Sequence, residues 1–209
     1  GPQATTQVVV VKNSAAGLPT DLTRNSKYLI ADDNVAVVAE SGIVEAKGDG
    51  HTRLLVVTDA GRREVSISVT GFDSPAPASF ANAVIPALTK LGCNSGGCHG
   101  KAEGQNGFKL SVFGFDPEAD FETLTRENRG RRVNRVVPAT SLILGKATGR
   151  VPHGGGRRTD ETSIHYRTLS RWLSEGATFE HEPVAVTSIE VQPEGATLSL
   201  DGQHQLRVI

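Results

Sequence analysis

"KLGCNSGGCHGK", residues 90–101, holds both cysteines of the chain with four residues between them and His99 directly after the second. Two thiols so close, followed at once by an imidazole, fit three kinds of chemistry: a local disulfide, a metal clip, or a tether for a larger group. The choice among them decides what the neighbouring residues pack against. Only 5% of the chain is aromatic and 37% hydrophobic, so a helix-poor region around this loop gains much from a bound apolar plate.

Upstream, "FANAVIPALTKLG" sets Phe80, Val84, Leu88 and Leu91 at helical spacing, with Ser79 as N-cap and Gly92 as the stop. Pro86 inside this run is expected to kink the helix or to shift its start. Downstream, "DPEADFETLTR" reads as a second helix with acidic residues in its first turn, and "ATSLILGKA" as a short third. In "DETSIHYRTLSRWLSEGA", Ile164 or Tyr166 shares a face with Leu169, Trp172 and Leu173, and Gly176 ends the helix. These helices predict an all-α domain over 79–180. The prolines of 73–78 mark a linker before it.

Ahead of the linker, from Gln7 to Thr70, short runs such as "KYLIA", "RLLVVT" and "EVSISV" alternate with Gly, Asn and Asp turns. This predicts an all-β sandwich over 3–72, with Val65, Ile67 and Val69 on a buried face. Beyond Pro183 the β pattern returns, and "GQHQLRVI" is similar to the opening "TTQVVVV". Residues 184–209 are therefore expected to be the first strands of a second β domain, and the first sandwich to lack its opening strand. The edge left exposed is one that residues 187–209 could fill, within the molecule or by exchange with a neighbour. The fold class expected is α+β multidomain.

A length of 209 residues suits two compact domains. No apolar run approaches the eighteen residues of a membrane span, and the net charge of -1 gives no general attraction to nucleic acid. Gly1-Pro2 looks like the scar of a tag-cleaving protease, so the expected parent is a longer protein whose native address has been cut away. Two cysteines are too few for a disulfide scaffold, and methionine is absent altogether.

Cys-(x)n-Cys-His is the arrangement by which haem is attached covalently. Two thiols add to two vinyl groups, and the next residue's imidazole is placed under the iron. On that reading Cys93 and Cys98 form thioethers and His99 is the proximal ligand, with Gly96 and Gly97 supplying positive φ angles for the bulged loop. A Cys93–Cys98 disulfide remains open. So does a zinc site using Cys93, Cys98, His99 and another histidine, although adjacent Cys98 and His99 rarely both reach one tetrahedral ion. Without methionine, a sixth iron ligand must be histidine, lysine, a terminus or water; among the six histidines His153, in the loop "GRVPHGGGRR", is the distal candidate. "HGGG" also resembles an oxyanion loop, but no G-x-S-x-G accompanies it.

Taken together, "LTKLGCNSGGCHGKAEGQNGFKLSVFGFDPEADFETL", "SLILGKATGRVPHGGGRR" and "YRTLSRWLSEGA" resemble the cytochrome c domain of large exported planctomycete proteins. The β segments resemble bacterial immunoglobulin-like (group 2) domains. The resemblance implies covalent haem c held by Cys93, Cys98 and His99, an envelope or exported location (periplasm, cell surface or outside the cell), and further domains downstream. The four-residue spacer and the missing methionine depart from the common c-type pattern.

Between Arg126 and Arg158 nine Lys or Arg residues face one acid, Glu127. Arg131, Arg132, Arg157 and Arg158 are candidates to hold the two haem propionates, and the remainder form a positive rim suited to an acidic redox partner or an anionic polymer. Three functions follow as expectations: an electron-transfer module with no catalysis of its own, serving a redox protein or a downstream domain; a haem-free adhesion or carbohydrate-binding module with a Cys93–Cys98 disulfide; or a haem sensor or enzyme with an open distal site.

Overall fold

The structure, a computed structural model, describes residues 4–14, 17–196, 198 and 200–209. The Gly1-Pro2 pair and two residues of the last predicted β stretch, 197 and 199, lie outside that set. The chain divides into two units: one runs to Ala76 and includes Val186–Ile209, the other is Pro77–Ala185.

In the first unit, β1 (Thr5–Gln7) pairs antiparallel with β6 (Ile43–Ala46), which pairs with β5 (Ala36–Val38). A hairpin of β2 (Val11–Ser14) and β3 (Gly17–Asp21) stands apart. The second three-stranded sheet has the order β4 (Lys27–Ile30), β7 (Gly50–Thr58), β8 (Gly61–Val69), all antiparallel. Period-two alternation is clearest on central β7, where Thr52, Leu54 and Val56 are buried in turn. Leu54 and Val56 meet Ala36 and Val44 from the other sheet to form the core. As an outer strand β8 buries less than its alternation suggests: Ile67 packs on the core, whereas Val65 is 45% exposed.

Among the described residues, 184–209 contain two short strands. From Val186 onward they belong to the first unit, where β9 (Val191–Gln192) and β10 (Arg207–Val208) pair with each other rather than with an edge of either three-stranded sheet. Gln205 N–H donates to the Asp21 carboxylate at 2.6 Å. That bond, not strand addition, ties the segment to the sandwich.

In the second unit the helix after the linker begins as predicted at Ser79, whose hydroxyl accepts from Asn82 N–H at 2.8 Å. Its first turn, Phe80–Val84, is π-helical before α1 (Ile85–Lys90). Pro86 explains the wide turn: it has no N–H to give Asn82, so the i→i−4 ladder cannot start across it. Asp116 caps α2 (Pro117–Thr125), which is followed by α3 (Leu142–Ala147). Ser163 caps α4 (Ile164–Ser174), which buries Leu169, Trp172 and Leu173. Tyr166, not the exposed Ile164, completes its apolar face. Phe80 lies at the centre of the core, with ring centres 5.3 Å from Phe121 and 5.2 Å from Trp172.

The expectation of an all-α cytochrome c domain over 79–180 is corrected by this arrangement. Helix accounts for only 25% of the chain, and among the described residues the unit's α-helices number four, of six, nine, six and eleven residues. Between them run 3-10 turns, loops and an isolated antiparallel bridge, Gln105 to Phe108. The physical reason is local. Glycines at 92, 104, 107, 114, 130 and 149 all take positive φ: Gly92 and Gly149 follow the ends of α1 and α3, and the others turn the chain within the loops.

Glu180, from the far end of the unit, closes the helix start. Its carboxylate accepts from Phe80 N–H at 2.8 Å, Ala81 N–H at 2.9 Å and the Ser79 hydroxyl. Partial burial pushes its pKa up, but these donors outweigh it and hold the group below its ordinary value of 4.5. A depressed carboxylate stabilises the fold above the unfolded pKa and loses that contribution as pH falls through the folded one. Glu180→Gln is therefore expected to cost about 1 kcal/mol in urea denaturation at neutral pH, the scale of a lost cap. The gap between variant and parent should close when the titration is repeated well below pH 4.5.

Candidate functional site

The cysteine loop is launched by the end of α1. Gly92, at φ +73°, lets Gly92 N–H reach Thr89 C=O and Cys93 N–H reach Leu88 C=O, both at 2.9 Å, a Schellman closure. Cys93 thereby packs against the core, and its burial pushes the thiol up to about 11. His99 N–H then bonds back to Cys93 C=O at 3.0 Å, and Gly100 N–H to Ser95 C=O at 3.0 Å. Buried Asn94 anchors the loop through its Nδ2 to Thr89 Oγ1 at 2.9 Å.

The glycines that shape the loop are not the expected ones. Gly96 and Gly97 do not take positive φ, and a Cβ on either would meet nothing within 4 Å. Gly100 is the tight position, where a Cβ would lie 2.2 Å from the Asn94 carbonyl oxygen.

Cys93, His99 and His153 line one cavity of about 380 Å³, within the range of small-molecule and cofactor sites. Leu88, Leu124, Leu142, Ile143, Leu169 and Phe108 supply its apolar walls. The two imidazoles have ring centres 6.3 Å apart and planes within 6° of parallel. His99 Nδ1 lies 3.0 Å from Phe108 C=O and His153 Nδ1 2.9 Å from Gly156 C=O. A carbonyl only accepts, so in both rings Nδ1 carries a hydrogen, which leaves Nε2 as the nitrogen available to a metal. Burial, with His153 and Arg132 nearby, lowers the pKa of His99 and favours the neutral ring.

Both rings border the same cavity, so their Nε2 atoms are the candidate donors to a metal-bearing group held there. The donor set fits an iron porphyrin: two imidazoles, a thiol on the wall and apolar sides. Among the described residues no group of three or more His, Cys, Asp or Glu side chains is gathered to hold a metal ion, so the four-ligand zinc arrangement is not assembled there.

The remaining predicted residues divide. Cys98 is not a wall of the cavity; its sulfur lies 3.5 Å from Arg158 Nη2, and the two thiols are not joined in a disulfide. Arg131 lines the cavity with a guanidinium open to solvent. Arg132 lines it too, but is buried, bonded to the carbonyls of Thr123, Glu127 and Gly107, and laid 4.5 Å over the Phe108 ring. It braces the wall and has little left for a ligand. Arg157 points elsewhere, to Thr159 C=O at 3.1 Å and toward Asp160.

Two contributors were not singled out from the sequence. Phe108 fixes His99 through its carbonyl, and Lys146 lines the cavity from α3. "QNGF" carried the signal for the first: Asn106 and Gly107 take φ +51° and +70°, a two-residue hairpin turn that sets Phe108 opposite Gln105. Compared with protein-family models and with curated proteins, the chain gives no match.

Gly100→Ala should destabilise the protein by about 1–3 kcal/mol in thermal or chemical denaturation, because the methyl meets backbone that cannot retreat. Gly96→Ala and Gly97→Ala, placed in open space, should each stay within about 0.5 kcal/mol of the parent.

Proposed function

We propose that Pro77–Ala185 is a covalent haem c module that transfers electrons, with Cys93 and Cys98 as thioether sites, His99 as proximal and His153 as distal iron ligand. The observation that carries this reading is the His99–His153 pair: parallel rings, 6.3 Å between centres, each with Nδ1 tied to a backbone carbonyl. Two imidazoles on one cavity would hold a haem iron, which brings its other donors with it. The motif Cys93-(x)4-Cys98-His99 supplies the reason for covalent attachment. Each thiol adds across a vinyl group, sulfur to one carbon and hydrogen to the other, and nothing leaves.

When bound, the haem supplies one-electron exchange at iron. The protein's own part is to fix both imidazoles through their Nδ1 bonds to backbone carbonyls and to wall them with Leu88, Leu124 and Leu169. Arg131, exposed on the cavity wall, is the cation best suited to receive a propionate; Lys146 also lines the cavity but donates to Pro152 C=O at 2.5 Å, and Arg132 and Arg157 are engaged elsewhere. The module belongs on this reading to a larger exported protein, in the periplasm or at the cell surface, where c-type haem is attached.

Protein made in cells able to mature c-type cytochromes should be coloured, and its denatured mass should equal polypeptide plus one haem. A colourless protein with the mass of its amino acids overturns the reading. His153→Ala should free one axial position, so that the ferrous variant takes up carbon monoxide while the parent does not. An unchanged spectrum without uptake would reject His153 as the ligand. With two imidazoles the reduction potential should fall below that of a His/Met haem, as redox titration would report.

A further inference from the structure

Beside the haem-candidate cavity runs an open groove of about 660 Å³ lined by Arg126, Arg129, Arg131 and Arg135, with no acidic side chain in its walls. Arg131 lines both. The four guanidiniums differ in commitment. Arg126 is paired with Glu122 at 2.7 Å, and Arg135 reaches only Ala177 C=O at 3.5 Å. Arg129 and Arg131 are exposed, and the one acid of this stretch, Glu127, faces Arg132 at 3.9 Å.

The backbone holds this charge in place against its own preference. Asn128, Arg129 and Gly130 are left-handed in succession, at φ +51°, +61° and +66°. Gly130 is required there, since a Cβ would lie 2.8 Å from Thr125 C=O. For Asn128 and Arg129 the conformation costs about 1 kcal/mol each, a strain that charges crowded on one rim do not relieve.

Next to Arg135 the chain presents two valines to water: Val136 is 90% exposed and Val137 49%. They are not on a loose loop. Asn134 Oδ1 accepts both their N–H groups, at 3.0 and 2.9 Å, and Thr140 closes the turn through Val137 C=O. A rigid apolar tip beside unpaired guanidiniums is the make-up of a small protein–protein contact, with charge to steer and apolar area to hold. A soluble polyanion would use the arginines but has no use for the valines.

We infer that the groove of Arg126, Arg129, Arg131 and Arg135, with Val136 and Val137, is the docking face for an acidic electron-transfer protein; this rests on the haem reading above. Arg131, common to groove and cavity, places a seated partner one side chain from the candidate redox centre. One electron then passes from the partner's reduced centre to ferric iron: the partner is oxidised, the iron reduced, and no bond or proton moves.

The test is stopped-flow reduction of the haem-loaded protein by a reduced acidic [2Fe–2S] ferredoxin across a range of ionic strength. The second-order rate should fall as salt rises, and Arg129→Glu/Arg135→Glu should lower it by about tenfold or more at low salt, within the usual range of electrostatic steering. Val136→Ser/Val137→Ser should lower the rate at all salt concentrations. Reduction by a neutral hydroquinone, the visible spectrum and thermal stability should not change in either variant. Ferredoxin rates unaffected by both pairs of substitutions would overturn the docking face. So would charge reversal that abolishes retention on immobilised heparin and leaves the ferredoxin rate intact, which would assign the groove to a sulfated polymer. Protein lacking haem bands overturns this and the haem reading together; bands with unaltered rates overturn the docking face alone.

Discussion

Everything distinctive about the second unit depends on two hydrogen bonds from imidazole to backbone. Phe108 C=O takes the Nδ1 hydrogen of His99, and Gly156 C=O takes that of His153. Each bond contributes only about 1 kcal/mol to stability, yet each selects a tautomer and a ring orientation at once. The acceptors are themselves placed by turns. Phe108 is set by the Asn106-Gly107 hairpin, Gly156 by its own left-handed residue at φ +71° and by its N–H to His153 C=O at 2.9 Å. Leu110 N–H to His99 C=O at 2.8 Å locks the first of these from the other side.

This accounts for the unit's low helix content. A chain that must bring Cys93, His99, Phe108 and His153 to one cavity within some sixty residues has to reverse direction often, and the reversals use glycine. The helices that remain are too short to be stable alone and live by burying Phe80, Phe121, Leu169 and Trp172. Core and cavity share walls: Leu88, Leu124 and Leu169 face both. Softening that core would disturb the imidazoles as well.

Local signals read well from the sequence. Ser79, Gly92 and Gly176 lie at helix ends, because capping is decided by a few consecutive residues. His153 was reached from loop topology and does stand beside His99. What the sequence does not show is which backbone atoms the turns bring against a given position. Arg132 reads as a ligand-binding cation, and the fold sets it against the carbonyls of Thr123, Glu127 and Gly107 and the ring of Phe108. Gly100 was overlooked while Gly96 and Gly97 looked important, since only the fold brings Asn94 C=O over position 100. The all-α expectation overcounted spacing and undercounted glycine. Residues 184–209 read as the start of a second domain because strand pattern carries no address; by contacts Val186–Ile209 group with the first unit, where Gln205 bonds to Asp21.

The Glu180 clasp has a consequence for how such a module travels between proteins. Ala78 N–H bonds to Glu175 at 2.6 Å and Phe80 N–H to Glu180 at 2.8 Å, so the incoming and outgoing strands of chain leave the unit side by side. A segment whose ends meet can be spliced into a surface turn of an unrelated host without prying that host apart. The carboxylate that caps a helix thus also makes the unit a transplantable cassette.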